Sequence, residues 1–305
     1  MPLLSILIIT YNRPQDTLSL LENIQGQNNL LQYVGEVLLL NNASSDSYES
    51  VEDFIKGNPG FPIQYIEHNQ NLGVAGGRNF LIKKAKYPTL LLLDDDVVFP
   101  EKNAMEKLAV LFEKPFFKEN NTAVITLNIY YFLTRERQKS ALPHKDYAAY
   151  KNKQRFLTSY FTGAAHLMKK ELFEQTGYYP EDFFYGMEEY DLSYRIIEAG
   201  YTLAFDNSVK VLHKESPTGR ITPKKRLGLF MYNKSIVAWR YLPRKYFYST
   251  AFMWSLHYLK MSKFDIPGLF KNLKKVNSIP KNILPQKIGP NALSYLKKVN
   301  ARLWY

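Results

Sequence analysis

Residues 89–98 read Thr-Leu-Leu-Leu-Leu-Asp-Asp-Asp-Val-Val, four leucines running straight into three carboxylates. An unbroken apolar run of this length suits a strand covered on both faces, as in a parallel sheet. Asp94, Asp95 and Asp96 then stand at its carboxyl end, where like charges repel one another. A fold keeps three such groups together only if water or a cation disperses the charge. Taken alone, the triplet reads equally as a solvated turn before the next helix. The leucines in front of it and the motifs around it favour a metal.

Similar runs occur at Ser5–Thr10, Glu36–Asn41, Ile63–Glu67 and Ala123–Asn128, rich in Leu, Ile and Val. Between the first two, Pro14–Gln25 spaces Leu18, Leu21 and Ile24 three apart behind a proline suited to a first turn, which completes a βαβ unit. Further helices are expected over Tyr48–Lys56, Ala75–Lys84, Glu101–Glu113 and Met187–Ala199, the last stopped by Gly200. The alternation predicts an α/β fold: an open, mostly parallel, Rossmann-like sheet with flanking helices and a ligand site beyond the carboxyl ends of its strands. Arg135–Phe156 has no period and is expected as a long loop over that site. Two short strands are expected at Thr202–Phe205 and Val209–Leu212. Beyond Pro217, helices are expected over Leu227–Tyr241 and Tyr246–Lys260, then a tail whose prolines 267, 280, 285 and 290 break regular structure.

Composition bounds the rest. The 305 residues are 46% hydrophobic and 15% aromatic, enough for a large core, which sets disorder aside. The absence of cysteine excludes disulfides and thiolate zinc sites and fits a reducing, intracellular address. The N-terminus lacks the basic leader and cleavage site of a signal peptide and reads as a first strand. No stretch reaches the roughly twenty apolar residues that span a bilayer; the best candidate, Tyr246–Leu259, carries Ser249, Thr250, Ser255 and His257. Charge is divided along the chain. Residues 217–305 hold 18 Lys and Arg against the single acid Asp265, net +17, and residues 1–216 hold 22 against 27, net −5, summing to +12. The basic region, interleaved with Phe230, Tyr232, Trp239, Tyr241, Tyr246, Phe247 and Trp254, suits an anionic membrane surface, or else a helical pair packed on the body with its cations in solvent.

Two further motifs flank the triplet. Asn69-Gln-Asn-Leu-Gly-Val-Ala-Gly-Gly-Arg-Asn79 opens a helix, where Gly73, Gly76 and Gly77 let backbone approach a ligand and Arg78 adds a fixed charge; tight helix packing is the plainer reading. In Tyr185-Gly-Met-Glu-Glu-Tyr-Asp-Leu-Ser-Tyr-Arg195, Glu188 and Glu189 meet a helix start, with Asp191 on the same face as Glu188. Acids there also simply complement the helix dipole. His213 ends a strand, as do Thr10, Tyr11 and Asn12 on the first and Asn41, Asn42, Ser44 and Asp46 on the second. Each is ordinary alone. Their shared position at one edge of one sheet marks a site.

The order Ser5-Ile-Leu-Ile-Ile-Thr-Tyr-Asn-Arg-Pro14, Leu40-Asn-Asn-Ala-Ser-Ser-Asp46, Asn71-Leu-Gly73, the Asp triplet, Glu188-Glu-Tyr-Asp191 and His213 resembles family 2 of the GT-A glycosyltransferases over about residues 3–216. The resemblance implies an inverting hexosyl- or deoxyhexosyltransferase that uses a UDP, dTDP or GDP sugar, with Mn²⁺ or Mg²⁺ as cofactor. It implies that Thr10, Tyr11, Asn41 and Arg78 cradle base and ribose, and that Asn12, Asn42, Ser44, Asn71, Gly73, Gly76 and Asp95 also belong to the donor site. Asp94 and Asp96 would form the DXD pair and His213 the late metal ligand, while Glu189, with Glu188 and Asp191 beside it, aligns with the catalytic base. Gly163 and Ala164, in the stretch up to His166, are expected at the acceptor. Where the family usually carries Asp, this chain has Asn41, and its acidic pair is Glu-Glu instead of the commoner Glu-Asp. The implied organisation is a catalytic domain over 1–216, with a nucleotide-binding half about 1–128 and an acceptor half about 129–216, and a basic helical extension over 217–305. A glycan or lipid-linked acceptor in polysaccharide or lipopolysaccharide synthesis, and a cytoplasmic place peripheral to the cell membrane, are the matching expectations. Two rivals are a sugar nucleotidyltransferase, which normally has a basic phosphate loop where this chain has Tyr11-Asn-Arg-Pro14, and a basic nucleic-acid-binding protein, which leaves the strand-end acids unexplained, so no nucleic acid partner is expected.

Overall fold

The leucine-rich segments assemble into a nine-stranded sheet in the computed structural model, which describes residues 3–183, 185–216 and 222–304. The strands are β1 (Leu4–Thr10), β2 (Val34–Asn42), β3 (Ile63–His68), β4 (Thr89–Asp94), β5 (Val97–Val98), β6 (Thr122–Tyr131), β7 (Arg155–Thr158), β8 (Ala165–Lys169) and β9 (Thr202–His213). Their order is β3-β2-β1-β4-β8-β6-β9-β5, with β7 also paired to β9. The first four are mutually parallel, as are β6 and β9, and β8 runs antiparallel to both β4 and β6, splicing the two parts together.

Side chains on a strand alternate between faces, so a strand apolar at every position must be covered on both. Ile6, Ile8, Val37, Leu39, Leu91 and Leu93 pack on one side with the helices Pro14–Gln25 and Ala104–Ala109. Leu7, Leu38, Leu40, Leu90 and Leu92 pack on the other, with Gly73–Lys84, Glu188–Glu198 and the C-terminal helices. The parallel register sets Ile9 beside Asp94 and Thr10 beside Asn41, so the polar strand ends reach one edge together.

Four expectations are corrected. The helix expected over Glu101–Glu113 is only Ala104–Ala109 followed by a 3-10 turn at Leu111–Glu113, and Lys114, held extended before a proline, separates that turn from a further helix at Pro115–Glu119. The loop Arg135–Phe156 contains the short helix Tyr147–Tyr150 and runs into β7, held by a small aromatic cluster of Phe156, Phe205, Tyr147 and Tyr150. The two strands expected after Gly200 are one, β9, whose polar Asp206 is satisfied by Arg155 of β7 at 2.6 Å. The tail is helical: Pro223–Tyr241, Arg244–Met261, Ile266–Asn282 and Pro290–Lys298 follow one another. Pro267 and Pro290 sit in first turns, where no backbone N–H is needed, and Pro280 lies in the last turn of its helix. The boundary expected at Pro217 lies outside the described residues.

These helices share the apolar cluster of the sheet through Met231, Ile236, Val237, Trp239, Tyr241 and Phe247. An ionic clamp joins them to the acidic helix Glu188–Glu198. Buried Asp191 accepts from Arg195 Nε at 3.0 Å, Arg240 Nη1 at 2.9 Å and Tyr241 Oη at 2.9 Å. Asp191, expected among the catalytic acids, is therefore turned away from the sheet edge because two arginines and a phenol from other turns claim both its oxygens. Removing a buried charge partner strands the others, so Asp191→Ala should lower unfolding free energy by about 3 kcal/mol in urea denaturation. A loss well under 1 kcal/mol contradicts the clamp.

Candidate active site

β4 delivers the acidic triplet to the sheet edge, and the three carboxylates part ways there. Asp94 is partly exposed, Asp95 is buried and Asp96 fully so. Asp96 Oδ1 faces His213 Nε2, at the end of β9, across 3.1 Å, while its Oδ2 accepts the Ser216 backbone N–H at 2.9 Å. One ligand atom each from Asp94, Asp96 and His213 lies within 4.8 Å of the others. His213 Nδ1 meets Gln138 Oε1 at 3.2 Å, which orients the ring so that Nε2 faces the acids. Asp95 takes a different partner, Arg13 Nη1 at 2.8 Å. Burial outweighs that arginine and raises the Asp95 carboxyl to about 7. Burial works to raise Asp96 as well, but the His213 hydrogen bond and charge, with Arg13 and the Ser216 N–H, bring it down to about 2.

A second cluster centres on Arg78, which the Gly-rich helix buries. Its guanidinium lies 3.6 Å from Asp94 Oδ1, 3.4 Å from Glu188 Oε1 and 3.1 Å from Glu189 Oε1, and donates to the Gly163 carbonyl at 3.1 Å. One planar cation thus ties the strand-end acid to the acidic helix, a fork geometry that lysine lacks. Burial first, and then the neighbouring Glu189 charge, raises the Glu188 carboxyl above the ordinary range. Glu188 Oε2 is buried without a hydrogen bond, whereas Glu189 reaches the cleft.

That cleft has a volume of about 720 Å³. At one end Asn42 and Asn71 brace the Gly-rich turn: Asn42 accepts from Leu72 N at 2.9 Å, and Asn71 accepts from Gly73 N at 2.9 Å. Gly73 itself has φ +69, a conformation that favours glycine. Tyr11, Asn42, Asn71, Gly73, Arg78, Asp94, Asp95, Gly163, Ala164, Glu188, Glu189 and His213 all line the cleft, with Asp96 directly behind. The other expected donor residues stand outside the lining. Thr10 is buried against Thr17 and Tyr48, Asn41 is held by Tyr65 and by Ser44 N, Asn12 and Ser44 tie the first two strand ends together, and Gly76 packs on Leu72. His166, at the end of the stretch expected at the acceptor, is buried against Tyr179.

This geometry can be set beside known proteins. The model of the glycosyl transferase family 2 matches residues 5–177. The chain belongs to that family. An uncharacterized protein of Haemophilus influenzae is 31% identical over 185 residues, 58% of this chain and 93% of its own length. The uncharacterized glycosyltransferase YwdF of Bacillus subtilis is 32% identical over 123 residues, but these are only 40% of this chain and 43% of YwdF. Among solved structures, the mannosyltransferase PcManGT of Pyrobaculum calidifontis in complex with GDP-Man and Mn²⁺ superposes with TM-score 0.62 at 17% identity, over 100% of this chain and 81% of its own. S. aureus TarS in complex with UDP-GlcNAc gives 0.63 at 12% identity, over 91% and 81%. These likenesses establish the GT-A fold.

In this glycosyltransferase several groups at the site escaped the sequence reading. Arg13 pairs with Asp95 from 82 positions away, and Gln138 orients His213 from within the aperiodic loop. Lys225, Arg226 and Phe230 bring the C-terminal helix into the cleft wall. Tyr160 and Tyr190 stack at 4.4 Å on the same wall, backed by buried Lys234 at 3.3 Å from the Tyr190 ring. Arg13 shows in sequence as a lone cation just after the first strand, and Phe230 as one aromatic of the basic region. Gly163 is constrained by contact, since a Cβ there would overlap Glu189 Oε1 and crowd Arg78. Gly163→Ala should therefore cut turnover about 100-fold by displacing Glu189, with nucleotide affinity kept. Turnover near that of the parent would show that Glu189 is not held where it is needed.

Proposed function

We propose that this glycosyltransferase moves a hexosyl or deoxyhexosyl group from a nucleoside-diphosphate sugar to a hydroxyl of a glycan or lipid-linked acceptor, with inversion, in the synthesis of a cell-surface polysaccharide or lipopolysaccharide. The observation that carries the reading is the span of Arg78. It holds Glu189 within one guanidinium of Asp94, so a proton acceptor stands beside the residues that face the donor. The GDP-Man and UDP-GlcNAc complexes of similarly folded proteins support a nucleotide-sugar donor.

Tyr11 and the turn braced by Asn42 and Asn71 receive the nucleotide, with Asp94 toward ribose or sugar. Asp94, Asp96 and His213 fit a divalent cation by donor type and spacing, the imidazole suiting Mn²⁺ at least as well as Mg²⁺. Such an ion, when bound, neutralises the departing diphosphate. The two glutamates divide their work by environment. Burial raises the Glu188 carboxyl, which leaves Glu189, on the cleft wall, to take the proton from the attacking hydroxyl. Arg78 holds Glu189 at the angle of attack, and the Tyr160–Tyr190 pair offers a flat face to an acceptor ring. A single base implies one displacement and inversion at the anomeric carbon.

Glu189→Gln should lower kcat roughly 100-fold or more while leaving donor binding unchanged, because the amide cannot take a proton. Rates and donor affinity of the pair measure this, and NMR of the product gives its anomeric configuration. Near-normal turnover by the variant removes Glu189 as the base, and retained configuration removes the single displacement.

A further inference from the structure

The C-terminal helices carry an apolar surface that transfer does not use. Among the described residues thirteen large hydrophobic side chains are exposed, and seven of them fall between Tyr248 and Phe270. On the helix Arg244–Met261, Tyr248, Phe252 and Leu256 recur every fourth residue at 63%, 63% and 47% exposure, with exposed Arg244 before them in the chain and exposed Lys260 after. Residues spaced by four drift only about 40° around the axis per step, so Tyr248, Phe252 and Leu256 form one ridge, and Arg244 and Lys260 stand a turn before and a turn after it along the helix. Phe264, Ile266 and Phe270 extend the apolar surface through the turn into the helix Ile266–Asn282. Exposed Lys263, Lys271 and Lys274 lie among them in the chain.

This face differs from the one that sequence pattern nominates. Trp239, Tyr241, Tyr246 and Phe247 are buried in the core, and Phe230, Tyr232 and Trp254 are half-buried. Arg240 and Lys224 are spent on ion pairs with Asp191, Asp182 and Asp265. Asp265, the one acid of the region, is taken by Lys224 at 2.7 Å and Tyr258 at 2.8 Å. What remains outward is apolar and cationic. None of the described helices is long and apolar enough to cross a membrane, so any contact with lipid is lateral.

We propose that the helices Arg244–Met261 and Ile266–Asn282 seat the protein on an anionic membrane leaflet. Tyr248, Phe252, Leu256, Phe264 and Phe270 enter the interface, while Lys260, Lys263 and Lys271 reach lipid phosphates with their long stems laid along the apolar layer. Charge selects this occupant: a second copy would bring the same lysines against themselves, whereas a leaflet rich in anionic lipid offers both an apolar layer and the opposite charge. The seat is coupled to the cleft, since Phe230 of the cleft wall packs edge-on to Trp254 of the ridge helix at 6.5 Å.

The test is sedimentation of the full chain with phosphatidylcholine vesicles, with and without phosphatidylglycerol, beside the triple variant Phe252→Ser, Leu256→Ser, Phe270→Ser. All three positions are exposed, so a melting temperature equal to that of the parent checks the fold. The parent should sediment with anionic vesicles and far less with neutral ones, and the variant's partitioning should fall roughly tenfold or more. Equal partitioning of the variant, or a parent that stays in solution with anionic vesicles, overturns the proposal. So does an apolar face covered by self-association, seen as a dimer by sedimentation velocity that the variant dissolves without any vesicle binding. No nucleotide or acceptor enters the assay, so its outcome is separate from the transfer reading.

Discussion

The site is organised around an excess of negative charge gathered at strand ends. Asp94, Asp95, Asp96, Glu188 and Glu189 converge on two guanidinium groups, those of Arg13 and Arg78. Two cations do not balance five carboxylates, and like charges this close cannot all ionise without help. The protein answers unevenly. Burial raises the Glu188 and Asp95 carboxyls, whereas His213 holds that of Asp96 down. Asp94 and Asp96 are joined there by His213 as a third donor, and three such donors together are what a divalent cation would fit.

The fold serves this arrangement by register. Parallel pairing of β1 with β2 and β4 sends three polar strand ends to one edge, and β8, by reversing direction, brings Gly163 and Ala164 back against that edge. The Asp94 backbone N–H is bonded to the Ala164 carbonyl at 2.9 Å, so the entry to β8 is tied to the acidic end of β4. The C-terminal helices are part of the same construction: the Asp191 clamp fixes the acidic helix to them, and Phe230 closes over Gly186 at that helix's start.

Much of this was legible in the sequence wherever the physics is local. The parallel core follows from leucine runs that leave no polar face, and the Asp triplet and His213 follow from their place at strand ends. What escaped depends on chain segments far apart. Gln138 orients His213 across 75 positions, and nothing in an aperiodic loop marks it. Asp191 sits on the same helix face as Glu188, but its partners Arg240 and Tyr241 lie about fifty residues on, so helical periodicity alone does not reveal the clamp it makes. The prolines of the tail were misleading because a proline in a first turn costs a helix nothing, and position within the helix, not composition, decides which effect wins. The aromatic residues between 239 and 247 fit in sequence either a membrane surface or a helical pair packed on the body; they fill the face of the sheet opposite Ile6 and Leu91.

The central claim is that Asp94, Asp96 and His213 act together as one cation site beneath the donor. Its most direct test is electron paramagnetic resonance of Mn²⁺ titrated into the protein with a nucleoside diphosphate present, for the parent, Asp96→Asn and His213→Ala. The account predicts about one bound Mn²⁺ per chain in the parent and its loss in both variants, with their circular dichroism unchanged. Parent-like Mn²⁺ binding by both variants would contradict it.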